Sequence, residues 1–262
     1  MPTVAAIAIA PVKSLGLVHP QSVHIGPQGI LEDRRLHLID YQGKLLTQRE
    51  VGKLVQVKAE YQIAPERLRL VFPDGSRLKG PLERGEPVIT EIWGRRVPGH
   101  LVAGGWSQAL SDFCQQPVSL VRSNQPCQCY DEYPVSLLSQ ASVEELSRQS
   151  RLGEMPLDTR RFRPTFLLVG CEAHEEDGWL GGVIQIGDAV RLRVVARDPR
   201  CAIATHDPQT GERDFDTLRL ILGYRPHPRA AYFGVYGIVE HPGQVSLGDM
   251  VINSGRTQGA SD

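Results

Sequence analysis

Cys201 lies in the stretch Arg197-Asp198-Pro199-Arg200-Cys201-Ala202-Ile203-Ala204-Thr205, immediately before His206-Asp207-Pro208-Gln209-Thr210-Gly211. Neighbouring arginines favour a thiolate over a thiol. A thiolate held at a strand end can act as a nucleophile or ligate a soft metal. On the local sequence alone a small buried hydrophobe is the simpler reading, as it is for most free cysteines. The Asp-Pro-x-Thr-Gly run is a turn that closes behind the thiol. His206 is close enough in sequence to move protons near neutral pH, yet a surface turn residue is the plainer assignment.

Basic side chains recur beside turns. Lys13-Ser14 ends a first strand, Asp33-Arg34-Arg35 begins another, and Arg160-Arg161-Phe162-Arg163-Pro164 precedes the apolar run from Thr165 to Val169. Arginine offers a planar fork that matches phosphate, and lysine a point charge. Singly, each is an ordinary surface ion-pair partner of small value. Three such places together with one reactive cysteine point to an anionic ligand that carries a phosphate.

Absent motifs narrow the chemistry further. No G-x-G-x-x-G opens a helix and no G-x-x-x-x-G-K-[ST] occurs, so neither common nucleotide cradle is present. His174-Glu175-Glu176 lacks the second histidine of a zinc protease, and Cys127-Gln128-Cys129 has no second pair to complete a zinc knuckle. Gly105-Trp106-Ser107-Gln108-Ala109 breaks the nucleophile-elbow pattern at its last glycine. Glu172, Glu175, Glu176 and Asp177 read as a solvated acidic loop.

The elements that must position these groups are mostly short strands. The 262 residues carry 26 glycines and 19 prolines spread along the whole chain, which suits many β-turns. Leu68, Leu70 and Phe72 alternate with polar neighbours, then Pro73-Asp74-Gly75-Ser76 turns the chain into a hairpin. Val190, Leu192, Val194 and Ala196 alternate with Arg191 and Arg193 on the strand that leads to Cys201. Ile186-Gly187-Asp188-Ala189-Val190 and Leu247-Gly248-Asp249-Met250-Val251 read as two tight turns between barrel strands. Three helices are expected. Trp106, Leu110, Phe113 and Cys114 have helical spacing behind Gly104-Gly105. Ser142 and Glu145 form a capping box for a helix running to about Leu152. Asp216-Thr217 starts a third through Leu218, Ile221 and Leu222, with Gly223 as its stop.

Charge and cysteine content exclude several classes. The chain has 29 basic and 30 acidic residues, a net charge of −1, so no global field draws nucleic acid or acidic membranes. Five cysteines make an odd count without disulfide-framework spacing, which fits a reducing, cytoplasmic setting. No apolar run reaches the ~18–20 residues of a membrane span. The run Val4 to Ala10 follows no positive residue and reads as a strand, not a signal core. A seam falls near Pro117 to Pro134. The expected fold is mainly β, α+β overall: an N-terminal β-rich region over 1–120, a β-barrel domain over 121–253 and a disordered tail over 254–262.

The order of motifs now carries a resemblance. Ala10-Pro11-Val12-Lys13-Ser14, Leu31-Glu32-Asp33-Arg34 and Leu46-Thr47-Gln48-Arg49-Glu50 resemble the N-terminal β-barrel region of MOSC proteins. Arg161-Phe162-Arg163-Pro164, Asp177-Gly178-Trp179, Ile186-Gly187-Asp188, Arg200-Cys201, Asp207-Pro208-x-Thr210-Gly211 and Phe233-Gly234-x-Tyr236 resemble the MOSC domain itself, named for the C-terminal domain of molybdenum cofactor sulfurase. The likeness spans residues 3–253 and is similar to that of mitochondrial amidoxime-reducing components and their bacterial counterparts.

The resemblance implies that Cys201 ligates molybdenum, with the pterin dithiolene of the molybdenum cofactor supplying further sulfurs. It implies that Lys13, Ser14, Arg34 and Arg163 hold the pterin and its phosphate, that Arg200 and Tyr236 lie near the cofactor, and that Ser139 in the Leu-Ser-x-Ala-Ser run adds a contact. Residue by residue other roles stay open: Arg163 beside Pro164 as a turn cap, Tyr236 as a half-buried aromatic, Lys13 and Arg34 as plain surface charges. Thr165 stands where relatives often carry asparagine after Phe-Arg-Pro. The implied activity is reduction of N-hydroxylated small molecules such as amidoximes, hydroxylamines or N-hydroxylated bases. Electrons would come from a separate ferredoxin, flavodoxin or cytochrome b5-like protein. The alternative is a cofactor-binding or sulfur-carrier protein with a persulfide on Cys201. Fused sulfurases carry a pyridoxal-phosphate desulfurase domain ahead of this module, and 262 residues leave no room for one.

Overall fold

The computed structural model describes residues 1–150 and 156–253. The expected tail over 254–262, and the expected end of the second helix near Leu152, lie outside the described residues. Four sheets and three short α-helices organise the described residues. The fold class read from the sequence, mainly β with few helices, is the fold observed.

The largest sheet has seven strands, in spatial order Thr3–Ile7, Phe166–Val169, Val135–Ser139, Tyr232–His241, Val190–Pro199, Val183–Ile186 and Val251–Asn253. Its two edges meet. Thr3 bridges Met250, Val4 N–H donates to Asp249 O at 3.0 Å and Val251 N–H to Pro2 O at 2.8 Å. That contact removes most of the open edge and curls the sheet into a barrel. Ile7, Ile25, Leu137, Phe166, Leu192 and Val235 fill the interior. The barrel thus recruits its first strand from the N-terminal stretch. A second exchange joins Ser22–Gly26 to Gly243–Ser246.

A five-stranded sheet runs Leu45–Leu46, Leu36–Asp40, Val118–Ser123, Arg95–Val102 and Arg84–Ile92. Lys58–Gln62, Arg67–Val71 and Arg77–Pro81 form a meander beside it. Its second hairpin turns at the expected Pro73–Ser76 site, with Gly75 at φ 86°. Leu36, Leu54, Leu70, Trp106, Leu110 and Leu120 share this second core. Each such fully buried side chain contributes roughly 1.5–3 kcal/mol of apolar transfer.

The helices differ from expectation in their ends. Trp106–Cys114 buries Trp106, Leu110 and Cys114, one face at helical spacing. The second helix is Gln140–Ser150, so Ser142 is inside it and is not its cap. Its hydroxyl has other partners: it donates to Glu176 Oε1 at 2.8 Å and accepts from His174 N–H at 2.8 Å. The helix therefore continues straight out of the strand Val135–Ser139. Thr217–Tyr224 starts as expected, with the Asp216 carboxylate accepting from Arg219 N–H at 3.1 Å, but runs through Gly223. Gly187 makes the hairpin Val183–Ile186 to Val190–Pro199. The similar Leu247–Val251 turn instead passes the chain from the small sheet to the barrel. No helix among the described residues is long and apolar enough to cross a membrane.

Candidate active site

Two loops interlock at the mouth of the barrel. Arg34 N–H donates to Ala10 O at 2.8 Å, Ala10 N–H to Asp33 Oδ1 at 2.8 Å and Lys13 N–H to Leu36 O at 2.8 Å. This places Lys13, Ser14 and Arg34 side by side. A third basic group reaches in from the strand end before Phe166: Arg163 donates through Nη2 to Leu15 O at 2.8 Å. The strand Val190–Pro199 carries register shifts near Val194/Ala196 and Arg197/Pro199 and delivers Arg200 and Cys201 to the same place.

Together these residues line one cavity of about 440 Å³, with Tyr236 among them. Lys13, Ser14, Arg34, Arg163, Arg200, Cys201 and Tyr236, separated by up to 223 residues in sequence, share its wall. Ser139, expected there as well, does not line it. Its backbone N–H donates to Glu176 Oε1 at 3.2 Å at the junction with the helical layer, and its side chain is fully buried. Arg197 is exposed and also outside the lining. The hydroxyl of Thr165 accepts from Ser136 N–H at 3.1 Å, so at this position the contact is turned to the backbone of the neighbouring strand.

The electrostatics are those of an anion cradle with cations to spare. Lys13 is 4% exposed; its ammonium donates to Asp131 Oδ1 at 2.7 Å and Cys129 O at 2.9 Å. Burial lowers its pKa against the pull of Asp131. Arg34 pairs with Asp33 and lies 3.8 Å from Asp131; burial opposes its charge, but these two carboxylates hold its pKa above the ordinary value. Asp131 is likewise opposed by burial and held well below the usual carboxylate range by Lys13 and Arg34. Arg163 has no carboxylate partner among the described residues; burial and the adjacent Arg34 push it down to about 10. Arg200 is clamped by Phe233 O at 2.6 Å, Phe162 O at 2.7 Å and Asp198 at 2.9 Å, and its Nη2 has no protein hydrogen-bond partner. An unneutralised buried cation and an orphaned guanidinium nitrogen fit a phosphate-bearing ligand.

The backbone is strained at the same place. Among described non-glycine residues, seven have positive φ, and four of them line the cavity: Ser14 at 74°, Arg34 at 49°, Trp93 at 49° and Arg163 at 47°. Such conformations cost ~1–3 kcal/mol each and persist where the surroundings over-determine them, typically at functional sites.

Several lining residues carried no role in the sequence reading. Asp131 falls in the stretch taken as a seam between domains. Asp198 sits inside the Cys201 segment, 2% exposed, with its carboxyl pushed up to about 6 by burial despite Arg200. Thr47, Gln48 and Arg49, part of the Leu46–Glu50 motif, line the same cavity. Gln48 is buried and its amide nitrogen lacks a protein partner. Trp93 also lines the cavity.

Among the described residues no group of three or more His, Cys, Asp or Glu could hold a metal ion. A metal at Cys201 would therefore bring most of its ligands with it, as a dithiolene cofactor does. The half-buried thiol beside the anion cradle matches such a cofactor in donor chemistry.

Comparison with known proteins gives two family matches. The MOSC N-terminal beta barrel domain model matches residues 1–117 and the MOSC domain model residues 114–252. Mitochondrial amidoxime-reducing component 1 of Homo sapiens is 29% identical over 286 residues, covering 95% of this chain and 82% of its own. Mitochondrial amidoxime reducing component 2 of Homo sapiens is 29% identical over 283 residues with the same coverage. The solved YUAD protein from Bacillus subtilis aligns over 96% of this chain and 94% of its own at 14% identity and a TM-score of 0.45.

Proposed function

The chain belongs to the MOSC family, and on that premise we propose that it is a molybdenum-cofactor-dependent reductase of N-hydroxylated small molecules. The observation that supports this most is the one cavity shared by the Cys201 thiol, by Arg163, which has no carboxylate partner among the described residues, and by the unpartnered Nη2 of Arg200. The amidoxime-reducing names of the relatives supply the reaction class.

Lys13, Ser14, Arg34 and Arg163 would hold the pterin phosphate, and Arg200 the pterin edge. Cys201 would furnish the protein's one thiolate to the metal. When bound, the cofactor supplies two-electron oxygen-transfer chemistry. The overall change breaks the N–O bond of R–NHOH, consumes two electrons and two protons, and releases R–NH2 and water. The buried Asp198 carboxyl, pushed up to about 6, holds a proton at the cavity wall in mildly acidic solution. Burial, with Asp198 beside it, raises the Tyr236 hydroxyl far above its ordinary pKa, so the phenol stays protonated. Tyr236 stacks at a tilt on Tyr133, ring centroids 5.5 Å apart, which fixes its orientation.

The electrons would come from a separate ferredoxin, flavodoxin or cytochrome b5-like donor, because the chain has no nicotinamide fingerprint. All five cysteines are free thiols, and a reducing cytoplasmic setting is part of the same proposal. The direct test is molybdenum and pterin analysis of protein made in a cofactor-producing host, with benzamidoxime reduction driven by reduced viologen. Bound molybdopterin and dye-driven turnover are expected, with no turnover from NADH alone. Cofactor-free protein, or cofactor without N–O reduction but with a persulfide on Cys201, overturns the reductase reading.

The cradle makes a separate prediction. Arg163→Glu and Arg34→Glu each put a negative charge against a phosphate in a site where screening is weak. Pterin content of purified protein should fall at least tenfold in each. Full occupancy in both variants would make these two ordinary structural arginines.

A further inference from the structure

One wall of the cavity is not used by the anion cradle. Trp93 and Gly94 form the two-residue loop between Arg84–Ile92 and Arg95–Val102, with φ of 49° and 80°. Two positive φ values make the I′ pattern, for which Asn-Gly is the preferred pair and a bulky aromatic is disfavoured. The chain has therefore put tryptophan where local preference argues against it. The indole is 46% exposed, yet three groups fix it: Arg49 lies over the ring at 4.3 Å, Nε1 donates to Asp131 Oδ1 at 3.2 Å, and the Lys13 ammonium is 6.0 Å from the ring centre. Arg49 has no ion-pair partner among the described residues. An oriented, half-exposed indole on the wall of a cavity that also carries Lys13, Arg34, Arg49 and Arg163 has the form of a stacking surface.

We propose that Trp93, held in place by Arg49 and Asp131, is a stacking platform for substrate and gives the cavity a preference for planar, conjugated N-hydroxylated compounds over flexible aliphatic ones. The proposal rests on the reductase reading above. The ring meets the flat face of an aromatic amidoxime or hydroxylamino-heterocycle, while a small alkylhydroxylamine has no π-face to offer.

The other two tryptophans, Trp106 and Trp179, are 4% and 3% exposed, so Trp93 dominates any quenching by a ligand in the cavity. Titrating the molybdenum-loaded protein with benzamidoxime should quench fluorescence saturably, and Trp93→Asn should remove that signal. Asparagine suits this turn better than tryptophan, so Trp93→Asn should melt no lower than wild type. Its ratio of kcat/KM for benzamidoxime to that for N-methylhydroxylamine should fall about tenfold, and Trp93→Phe should recover most of the ratio. An unchanged ratio, or saturable quenching that survives in Trp93→Asn, overturns the platform. Quenching that follows pterin loading and not benzamidoxime assigns the ring to the cofactor and overturns it as well. If wild type reduces neither compound, the reductase reading fails, and the titration alone then decides whether Trp93 binds planar ligands.

Discussion

Cys201→Ala is expected to abolish the proposed dye-driven N–O reduction while the protein melts within a few degrees of wild type. Both halves follow from where the thiol sits. Cys201 is half-buried, in extended backbone at φ −118° and ψ −178°, and its side chain makes no capping hydrogen bond to the 3₁₀ turn Ala202–Thr205 that follows. Alanine adopts that backbone freely, and the lost sulfur leaves little cavity, so the stability cost is at most about 1 kcal/mol. The functional cost should be total, because no other sulfur lines the cavity. The other four thiols lie outside the lining: Cys114 and Cys127 are buried with thiols pushed up to about 11 and about 12 by desolvation, Cys171 is likewise pushed up to about 12, and Cys129, whose carbonyl accepts from Lys13, has its own buried thiol raised by desolvation and placed 3.4 Å from His37 Nδ1. Activity should fall to background, with the anion cradle still able to retain pterin. Wild-type turnover in Cys201→Ala would remove the thiolate from the reaction altogether.

How much of this was legible in the sequence depends on the kind of contact. Strands announced themselves by alternation, as in Val190, Leu192 and Val194, since one face of a barrel strand must be apolar. The hairpin at Pro73–Ser76 and the start of the third helix at Asp216 were readable because turns and caps are local chemistry. Ser142 was misread for the converse reason: its hydroxyl is taken by Glu176 and by His174 N–H, 34 and 32 residues away, and no local rule anticipates that. The same holds for the cavity. Lys13, Arg34, Arg163 and Arg200 stood out as basic residues beside turns. Asp131 and Trp93 did not, because their importance comes only from the loops that bring them within reach of Lys13. Ser139 was placed by its motif, but the strand on which it sits turns that residue toward Glu176.

The most destructive single change expected in this chain lies outside the cavity lining, at Gly211. The Asp-Pro-x-Thr-Gly turn was read as a cover behind the thiol, and its internal bonds fit that: Asp207 Oδ1 accepts from Gln209 N–H at 2.8 Å and Thr210 N–H at 2.7 Å, and Gly211 N–H closes onto Asp207 O at 2.8 Å. What the turn touches is more revealing. It docks on the 3₁₀ segment Gly52–Gln56 of the N-terminal region, where Gln56 Nε2 donates to Thr210 O at 2.8 Å. Gly52 and Gly211 meet backbone to backbone. A Cβ on Gly211 would stand 2.0 Å from Gly52 O and 2.2 Å from its carbonyl carbon, and a Cβ on Gly52 would stand 2.0 Å from Gly211 O. Gly211 also has φ 78°, which an L side chain resists. Backbone on both sides leaves no flexible side chain to yield, so Gly211→Ala must force the two segments apart. The expected cost is more than about 4 kcal/mol, enough to unfold much of the population of a domain whose whole stability is on the order of 5–15 kcal/mol. Gly52→Ala should cost nearly as much, and because both act on one contact the double variant should be far from additive. Thermal melting and urea unfolding of the three variants decide it. Wild-type melting in Gly211→Ala would mean that the two segments can separate freely, and the Cys201 segment would then owe its placement to the barrel strand alone.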